Sequence, residues 1–245
     1  KSLAMQYKEN KDVEIKKLNN ELDSFKKIIE ENNTLYESML DKTTQSLEKI
    51  IYNTESQSKI QKKYKKSILR KNYYKKKKKK YYEIDKRFFL PLLSLIKANF
   101  KKDNLKLALY YPSNFEINVL KLLENQYMTD KNILLPVIEE KNKMNFFIWK
   151  KKHLLFVNKF GILEPQKTKN SVPNFMLLPI LAFDRNKYRL GYGKGFYDRY
   201  LNKYLKKFSN IITVGVAFSF QKHHKLPIDK NDVKLDYILT EKGIY

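Results

Sequence analysis

Short apolar runs and apolar residues at helical spacing alternate along the chain after residue 88. An apolar run of about four to eight residues predicts a buried strand, and apolar residues three and four apart predict one face of a helix. The sequence therefore predicts a helix over 88–96, a strand over 105–111, a helix over 116–127 with Val119, Leu120 and Leu123 facing inward, strands over 133–137, 146–149 and 177–183, a helix over 196–208, and strands over 211–218 and 237–240. Such alternation predicts an α/β protein whose helices cover a mainly parallel sheet.

The first 60 residues follow a different pattern and contain neither glycine nor proline. Apolar residues there are spaced alternately three and four apart, as in the seam of a coiled coil: Ile15, Leu18, Leu22, Phe25 and Ile29, then Tyr36, Met39 and Ile50, with polar Asn32, Thr43 and Ser46 between them. We predict a helical extension over 1–60 that either self-associates through residues 15–50 or is a solvated helix. Residues 61–245 form the predicted globular part, a single Rossmann-like layered domain.

Charge is distributed unevenly along the chain. The net charge is +25, yet residues 1–60 carry ten lysines against eleven acidic residues, and residues 62–87 carry fourteen basic residues against two acidic ones. Six adjacent lysines, Lys75 to Lys80, lie between pairs of tyrosines. Such a run suits nucleic acid or another anionic surface, but in a lysine-rich chain it more often forms a solvated loop or helix face, and we predict the latter.

Cysteine is absent, which excludes disulfides and thiolate metal sites. The longest apolar run, 175–183, is too short to span a membrane, and the start of the chain lacks the apolar core of a signal peptide. We predict a cytoplasmic location. Organellar targeting stays open because the chain begins at Lys1 and not at methionine.

The stretch from Leu177 to Leu201 passes from an apolar strand through a polar turn to a glycine-rich loop and a helix. Half of the chain's six glycines lie within five residues here, around Lys194. Glycines let backbone N–H groups turn towards a ligand, and the start of a helix favours an anion. The loop matches neither the P-loop nor the dinucleotide-binding fingerprint. Spacing alone therefore predicts either a tight turn or an anion site, at the carboxyl end of a strand where α/β proteins bind ligands.

The residues from Arg189 to Asp198, RLGYGKGFYD, preceded by LPILAFD at 178–184, resemble the signature of the 5-formyltetrahydrofolate cyclo-ligase (5,10-methenyltetrahydrofolate synthetase) family. Further segments resemble the family in the same order: KSILR at 66–70, YP at 111–112 followed by Glu116, FGILEP at 160–165, VGVAF at 214–218, LP at 226–227, and Asn231, Asp232 and Asp236. The resemblance covers residues 61–245. It implies an enzyme that cyclises 5-formyltetrahydrofolate to 5,10-methenyltetrahydrofolate with ATP and Mg²⁺, phosphorylating the formyl oxygen and releasing ADP and phosphate.

The resemblance also implies roles for individual residues. Arg189 and Lys194 would be catalytic, and Asp198 and Asp232 would hold the metal; taken alone, Asp198 stabilises a helix start and Asp232 is a turn residue. ATP would be bound by Lys66, Arg70, Arg189, Gly191, Gly193, Lys194, Gly195 and Tyr197. The folate would be bound by Tyr111, Glu116, Tyr192, Gly193, Lys194, Gly195 and Phe196. Phe196 departs from the family's usual tyrosine, so one hydroxyl is lost.

Two alternatives remain beside the enzyme. A non-catalytic relative of the same fold could bind RNA or another anionic partner, but such a protein should have lost Glu116, Asp198 or the glycines, and none is lost. The sequence therefore argues against a nucleic-acid partner. In the second alternative the function resides in the coiled coil. The basic surface also suits the anionic tail of a polyglutamylated folate.

Overall fold

The structure, a computed structural model of the 245-residue chain, describes residues 3–51, 57–101, 104–113, 115–128, 132–140, 143–151, 153–208 and 210–245. It contains two compact units, residues 1–61 and residues 62–245. No helix within the described ranges is long and apolar enough to cross a bilayer. The larger unit holds every residue to which the resemblance gives a role.

Helix α1 (Leu3–Ile51) forms most of the first unit and confirms the predicted long helix. The seam residues Ile15, Leu18, Leu22, Phe25 and Ile29 are each more than half exposed. Ion pairs along the helix are exposed as well, and such pairs add little stability. The described part of α1 thus presents an uncovered apolar stripe.

The second unit is built on a seven-stranded sheet. Its helices are the part of α2 (Gln57–Lys80) from residue 62 onwards, α3 (Leu90–Asn99) and α4 (Phe196–Tyr204). The strands of the described residues are β1 (Lys106–Ala108), β2 (Asn132–Ile138), β3 (Met144–Ile148), β4 (Leu155–Val157), β5 (Leu163–Pro165), β6 (Phe175–Pro179), β7 (Ala182–Phe183), β8 (Arg189–Leu190), β9 (Ile212–Val216), β10 (Tyr237–Thr240) and β11 (Gly243–Ile244). The sheet order is β11-β10-β9-β6-β1-β2-β3. Neighbours from β10 to β2 are parallel, and the edge strands β3 and β11 are antiparallel, which confirms the predicted mainly parallel sheet.

Apolar side chains cover both faces of this sheet. On one face Phe89, Leu92 and Ile96, from α3 and the 3-10 turn before it, are fully buried against β1 and β6. On the other face Tyr200 and Leu201 of α4 are buried. Buried apolar side chains are the main source of folding free energy. The result is the layered α/β domain that the sequence predicts.

The predicted helix over 116–127 is wrong in both type and extent. Glu116 lies in coil, and two short 3-10 helices follow, Val119–Glu124 and Gln126–Met128. Asn118 accepts a hydrogen bond from the backbone N–H of Leu120, and Asn125 accepts one from Tyr127. Asparagine side chains that bond the nearby backbone compete with a continuous helix. In consequence Val119 and Leu122 are buried, while the predicted core positions Leu120 and Leu123 are only half-buried.

The predicted strand over 177–183 is divided in two. Strand β6 ends at Pro179, which has no N–H for a sheet ladder, and β7 begins at Ala182 and pairs with β8 in a separate antiparallel hairpin. The hairpin of β4 and β5 was not predicted. Both hairpins lie next to the cavity described below.

The lysine run Lys75–Lys80 is the end of helix α2. Five of its lysines are exposed, as expected of a solvated helix face. Lys77 contradicts that prediction, because it is only 2% exposed. Successive side chains of a helix point in different directions, so Lys77 faces inward while the adjacent lysines face solvent.

Candidate active site

A cavity of about 1270 Å³ opens beside the carboxyl ends of β1 and β6. Pockets for a single small ligand are typically about 300–1,000 Å³, so this cavity has room for two. The structure brings together in its wall all fourteen residues that the sequence analysis singles out: Lys66, Arg70, Tyr111, Glu116, Arg189, Gly191, Tyr192, Gly193, Lys194, Gly195, Phe196, Tyr197, Asp198 and Asp232. Their individual roles stay predictions.

Asp184 fixes the turn that leads into the glycine-rich loop. It is buried, and its Oδ1 accepts hydrogen bonds from the backbone N–H groups of Asn186 and Tyr188 at 2.9 and 3.1 Å. Its Oδ2 accepts a further bond from the N–H of Leu226 at 3.2 Å. A carboxylate that satisfies several backbone donors stabilises one turn geometry. Asp184 therefore holds β8 and the loop in place without facing the cavity.

Two of the three loop glycines adopt backbone angles that favour glycine. Gly193 has φ of 101° and Gly195 has φ of 67°, and Gly195 is the N-cap of α4. A Cβ atom on Gly193 would lie 3.4 Å from the guanidinium carbon of Arg70, whereas a Cβ on Gly191 would meet nothing within 4 Å. Arg70 also donates from Nε to the carbonyl of Gly191 at 2.9 Å. The loop and helix α2 are thus fitted to each other at Gly193.

Lys66 lies at the same end of the cavity as two aspartates. Its Nζ donates to Oδ2 of Asp229 at 2.8 Å and to Oδ2 of Asp232 at 2.5 Å. Burial by itself lowers the pKa of Lys66, but the bonds to both carboxylates outweigh it and raise that pKa above its ordinary value. Lys66 is therefore a fixed positive charge at the cavity wall.

Arg189 is paired with Asp198 beneath the loop. The Arg189 side chain is 4% exposed, and its guanidinium donates to Oδ1 of Asp198 at 2.6 Å and to the carbonyl of Val233 at 3.0 Å. Burial lowers the pKa of Arg189, and Asp198 opposes that shift. Because the ordinary pKa of arginine is so high, the guanidinium stays charged.

Asp198 and Asp232 form a donor set that suits Mg²⁺ in part. Among the described residues, Asp198 accepts hydrogen bonds only at Oδ1, and Asp232 accepts them only at Oδ2. Oδ2 of Asp198 and Oδ1 of Asp232 therefore accept none from these residues. The described residues contain no cluster of three or more acidic, histidine or cysteine side chains that could hold a metal. Mg²⁺ is commonly bound by one or two carboxylates together with phosphate oxygens and waters. The two aspartates fit that arrangement only when a phosphate ligand completes it.

Glu116 forms the acidic end of the cavity. It is 7% exposed and follows Phe115, whose φ of 62° is rare for a bulky residue. Its Oε2 accepts hydrogen bonds from the backbone N–H and the Oγ of Ser113, at 2.9 and 3.3 Å. Burial raises the pKa of Glu116, while Lys77, Ser113 and Tyr192 oppose that shift.

Aromatic rings line the space between the acidic and basic ends. Tyr111 is half-buried in the cavity wall, and its buried neighbour Tyr110 belongs both to the cavity wall and to the core. Phe196 packs edge to face against Phe160 from the β4–β5 hairpin, with ring centroids 6.0 Å apart. Tyr197 lines the cavity and packs against the core, and burial raises the pKa of its hydroxyl. Flat apolar walls of this kind suit a planar ring system.

The sequence analysis missed three residues that contact the predicted site residues. Asp229 shares Lys66 with Asp232, Phe160 supplies the ring against Phe196, and Lys77 bonds to Tyr192. Phe160 lay inside a recognised segment but carried no implied role. The signal for Lys77 was its position eleven residues after Lys66, which places both near one face of a helix.

A parallel sheet with a glycine loop, buried cations and carboxylates at its carboxyl edge is typical of α/β proteins that bind phosphorylated ligands. The profile of the 5-formyltetrahydrofolate cyclo-ligase family matches residues 62–241. The chain belongs to that family of enzymes, which confirms the resemblance.

Individual relatives agree with this assignment. The 5-formyltetrahydrofolate cyclo-ligase of Haemophilus influenzae is 34% identical over 155 residues, which are 60% of this chain and 80% of the relative. The solved structure of Aquifex aeolicus 5,10-methenyltetrahydrofolate synthetase is 34% identical, with a TM-score of 0.57, covering 73% of this chain and 91% of that one. The Mycoplasma pneumoniae 5,10-methenyltetrahydrofolate synthetase structure is 27% identical, with a TM-score of 0.52 and coverage of 71% and 97%.

Proposed function

We propose that this protein catalyses the ATP- and Mg²⁺-dependent cyclisation of 5-formyltetrahydrofolate to 5,10-methenyltetrahydrofolate, with release of ADP and phosphate. The observation that carries the proposal is the two-ended cavity of about 1270 Å³, which has cations and a glycine loop at one end and a buried glutamate with aromatic rings at the other. Such a cavity can hold a polyphosphate and a planar heterocycle side by side.

The basic end binds and orients the ATP phosphates. Lys66 and Arg70 supply charge from α2, and Arg189 supplies it from beneath the loop. The loop from Gly191 to Gly195 and the first turn of α4 present backbone N–H groups. Phosphoryl transfer needs alignment and neutralisation of charge more than covalent help. Lys194 is exposed at the cavity, with its ammonium group 5.5 Å from the centroid of the Phe160 ring, and is the loop side chain that contacts the transferred group.

The acidic end binds the pterin. Glu116 accepts two parallel hydrogen bonds from an amidine-like N–H edge, which is the strong geometry for an ionised carboxylate. The rings of Tyr111, Tyr192 and Phe196 enclose the planar parts of the folate and exclude water. The absence of a hydroxyl on Phe196 changes affinity and leaves turnover intact.

Asp198 and Asp232 would hold the metal, together with phosphate oxygens. When bound there, Mg²⁺ supplies neutralising charge to the phosphate oxygens. The carboxylate oxygens without hydrogen bonds from the described residues are available to it. Arg189 and Lys66 keep these two carboxylates oriented towards the cavity.

The reaction requires two displacements. The formyl oxygen attacks the γ-phosphorus, the bond from that phosphorus to ADP breaks, and an imidate phosphate forms. N10 then attacks the formyl carbon, the carbon–oxygen bond breaks, and phosphate leaves as N10 gives up its proton. The formyl oxygen and the γ-phosphorus must be held in line and close together, which is the task of the two ends of the cavity.

Two further partners follow from the surface. Lys63, Lys206 and Lys230 line the cavity and are all exposed, which favours capture of an anionic polyglutamate tail. The apolar stripe of α1 favours self-association through residues 15–50. Placement in the cytoplasm stays a prediction.

The test is near-UV absorbance after the protein is mixed with (6S)-5-formyltetrahydrofolate, ATP and Mg²⁺. We expect the methenyl chromophore to form only when all three are present. Asp198→Asn should abolish it, because the amide retains a hydrogen-bond acceptor for Arg189 but loses the charge that holds Mg²⁺. Asp85→Asn, at an exposed aspartate paired with Arg87, is the matched control and should not change the rate. Folded wild-type protein that forms no product would refute the proposal.

A further inference from the structure

One lysine of the Lys75–Lys80 run is buried while its five neighbours are exposed. Lys77 is 2% exposed, and removal of an ammonium group from water is costly unless it is hydrogen-bonded and near an opposite charge. The mechanism above makes no use of this buried cation.

A chain of hydrogen bonds connects Lys77 to the acidic end of the cavity. Nζ of Lys77 lies 2.9 Å from the Tyr192 hydroxyl, and that hydroxyl is also hydrogen-bonded to Glu116. An ammonium group can only donate and a carboxylate can only accept. The order of donors is therefore fixed: Lys77 donates to the Tyr192 oxygen, and Tyr192 donates its own proton to Glu116.

Tyr192 is the middle member of this hydrogen-bond chain, and its hydroxyl is held by both Lys77 and Glu116. Its residue surface is 37% exposed and lines the cavity, while its hydroxyl reaches the buried Lys77 and Glu116. A ring fixed through its hydroxyl can serve as a rigid wall. Because Tyr192 lies between Gly191 and Gly193, the same bonds tie the glycine loop to helix α2.

Lys77 also acts on the charge of Glu116. Burial raises the pKa of Glu116, and Lys77 is the first of the groups that oppose this shift. The two side chains form no ion pair within 4 Å; Lys77 acts on Glu116 by Coulombic attraction, and the Tyr192 hydroxyl bridges them by hydrogen bonds.

We propose that Lys77 is a positioning residue for folate binding, which holds the Tyr192 ring in place and keeps Glu116 as an ionised acceptor for the pterin. This inference rests on the proposed function. It predicts that Lys77 affects the KM for the folate and not the phosphoryl transfer, because the hydrogen bonds of Lys77 lead to Tyr192 and Glu116, which the proposed function assigns to the folate.

The pH dependence follows from the groups around Lys77. Burial lowers the pKa of Lys77 to about 8, and Glu116 opposes that shift. Burial also raises the pKa of Tyr192 and of the neighbouring Tyr110 well above the ordinary value, so both stay neutral; Tyr74 is a further titratable group beside Tyr192. As the pH rises through about 8, Lys77 loses its proton, and the folate KM should rise.

The experiment compares Lys77→Met with the wild-type enzyme and with Lys78→Met, an exposed lysine of the same run. Loss of a charge-assisted hydrogen bond corresponds to a factor of about ten to a hundred. We expect the folate KM of K77M to rise about tenfold or more on that scale, with kcat and the ATP KM within about twofold. K78M should match the wild type. Lys77→Arg should restore part of the affinity, and both K77M and K77R should lose the rise of KM above pH 8, because neither side chain releases a proton there.

Tyr192→Phe provides an independent variant that removes one oxygen and keeps the ring, in case K77M is too unstable to assay. Y192F should reproduce the KM effect of K77M, and the double variant should be no worse than either single one, because all three interrupt one chain. An unchanged folate KM in K77M, or fully additive effects of the two changes, would overturn the inference. Wild-type protein without turnover would overturn the proposed function itself, and is thus a distinct outcome.

Discussion

Lys66 and Asp232 form an ion pair across 166 positions of the sequence, with Nζ 2.5 Å from Oδ2. The resemblance implies that Lys66 binds ATP and that Asp232 binds the metal, so the ion pair joins residues with two different ligands. The bond holds both side chains in a fixed orientation at the cavity wall. The ammonium group has three N–H donors and gives two of them to Asp229 and Asp232, which leaves one for a phosphate oxygen.

Replacing Lys66 with methionine should weaken ATP binding selectively. The variant loses a charge-assisted contact to phosphate, which corresponds to a factor of about ten to a hundred. We expect the ATP KM to rise on that scale while the folate KM stays within about twofold, measured by methenyl absorbance at varied ATP. Lys65→Met, the exposed neighbour on α2, is the control. Equal increases in both KM values would contradict a role confined to ATP.

Asp229 should contribute to stability in a pH-dependent way. The hydrogen bond from Lys66 lowers the pKa of Asp229 below its ordinary 3.8. In the unfolded chain this carboxylate binds a proton at higher pH than in the folded chain, so its contribution is present above pH 3.8 and is lost as the pH falls through the lower folded value. Urea unfolding of wild type and Asp229→Asn should differ by up to about 1 kcal/mol at pH 7, since the group is partly exposed, and the difference should shrink towards pH 3.

The matched control for that experiment is Asp85→Asn, whose partner Arg87 is fully at the surface. It should leave the free energy of unfolding nearly unchanged at pH 7. A difference for D229N that is constant with pH would show that the Lys66 pairing is not its source.

Alanine should destabilise the protein at Gly193 but have almost no effect on its stability at Gly191. Gly193 has φ of 101° and faces the Arg70 guanidinium, so a methyl group there is strained and crowds that side chain. We expect Gly193→Ala to lower the free energy of unfolding by about 1–3 kcal/mol and to raise the ATP KM. Gly191→Ala meets no neighbour and should change stability by less than about 0.5 kcal/mol.

Activity separates two explanations for Gly191. If G191A is stable but raises the ATP KM, the glycine is needed for close approach of a ligand and not for the fold. If G193A is as stable and active as the wild type, the loop does not need the left-handed conformation described above.

Removal of the N-terminal unit should separate turnover from self-association. Every described residue that lines the cavity lies at or after Lys63, so a chain that begins at Gln57, with α2 intact, should retain kcat/KM within about twofold. The same truncation should abolish self-association in analytical ultracentrifugation. The full-length double variant Leu22→Lys, Ile29→Lys should also be monomeric, since it places charge in the seam. A truncated chain that folds but is inactive would show that the extension takes part in catalysis.

The spacing of apolar residues predicted the larger helices and strands because it reflects directly which side chains are buried. The strand Tyr237–Thr240 and the start of α4 at Phe196 agree with the predicted bounds. The spacing did not predict the places where a side chain bonds to the nearby backbone or where a backbone N–H is missing. Asn118 and Asn125 replaced a predicted helix with 3-10 turns, and Pro179 ended a strand that apolarity alone would extend.

Sequence alone determined the α/β class and the long N-terminal helix, because hydrophobic spacing is a local property. The resemblance to the cyclo-ligase family, read from its motifs, implied the set of residues that meet at the cavity. Only the tertiary structure decided which charges pair: Lys66 with Asp229 and Asp232, Arg189 with Asp198, and Lys77 with Tyr192. Burial also separated Lys77 from the five lysines beside it. The physical reason is that the cost of burying a charge depends on what lies across the fold, and no local pattern records that neighbour.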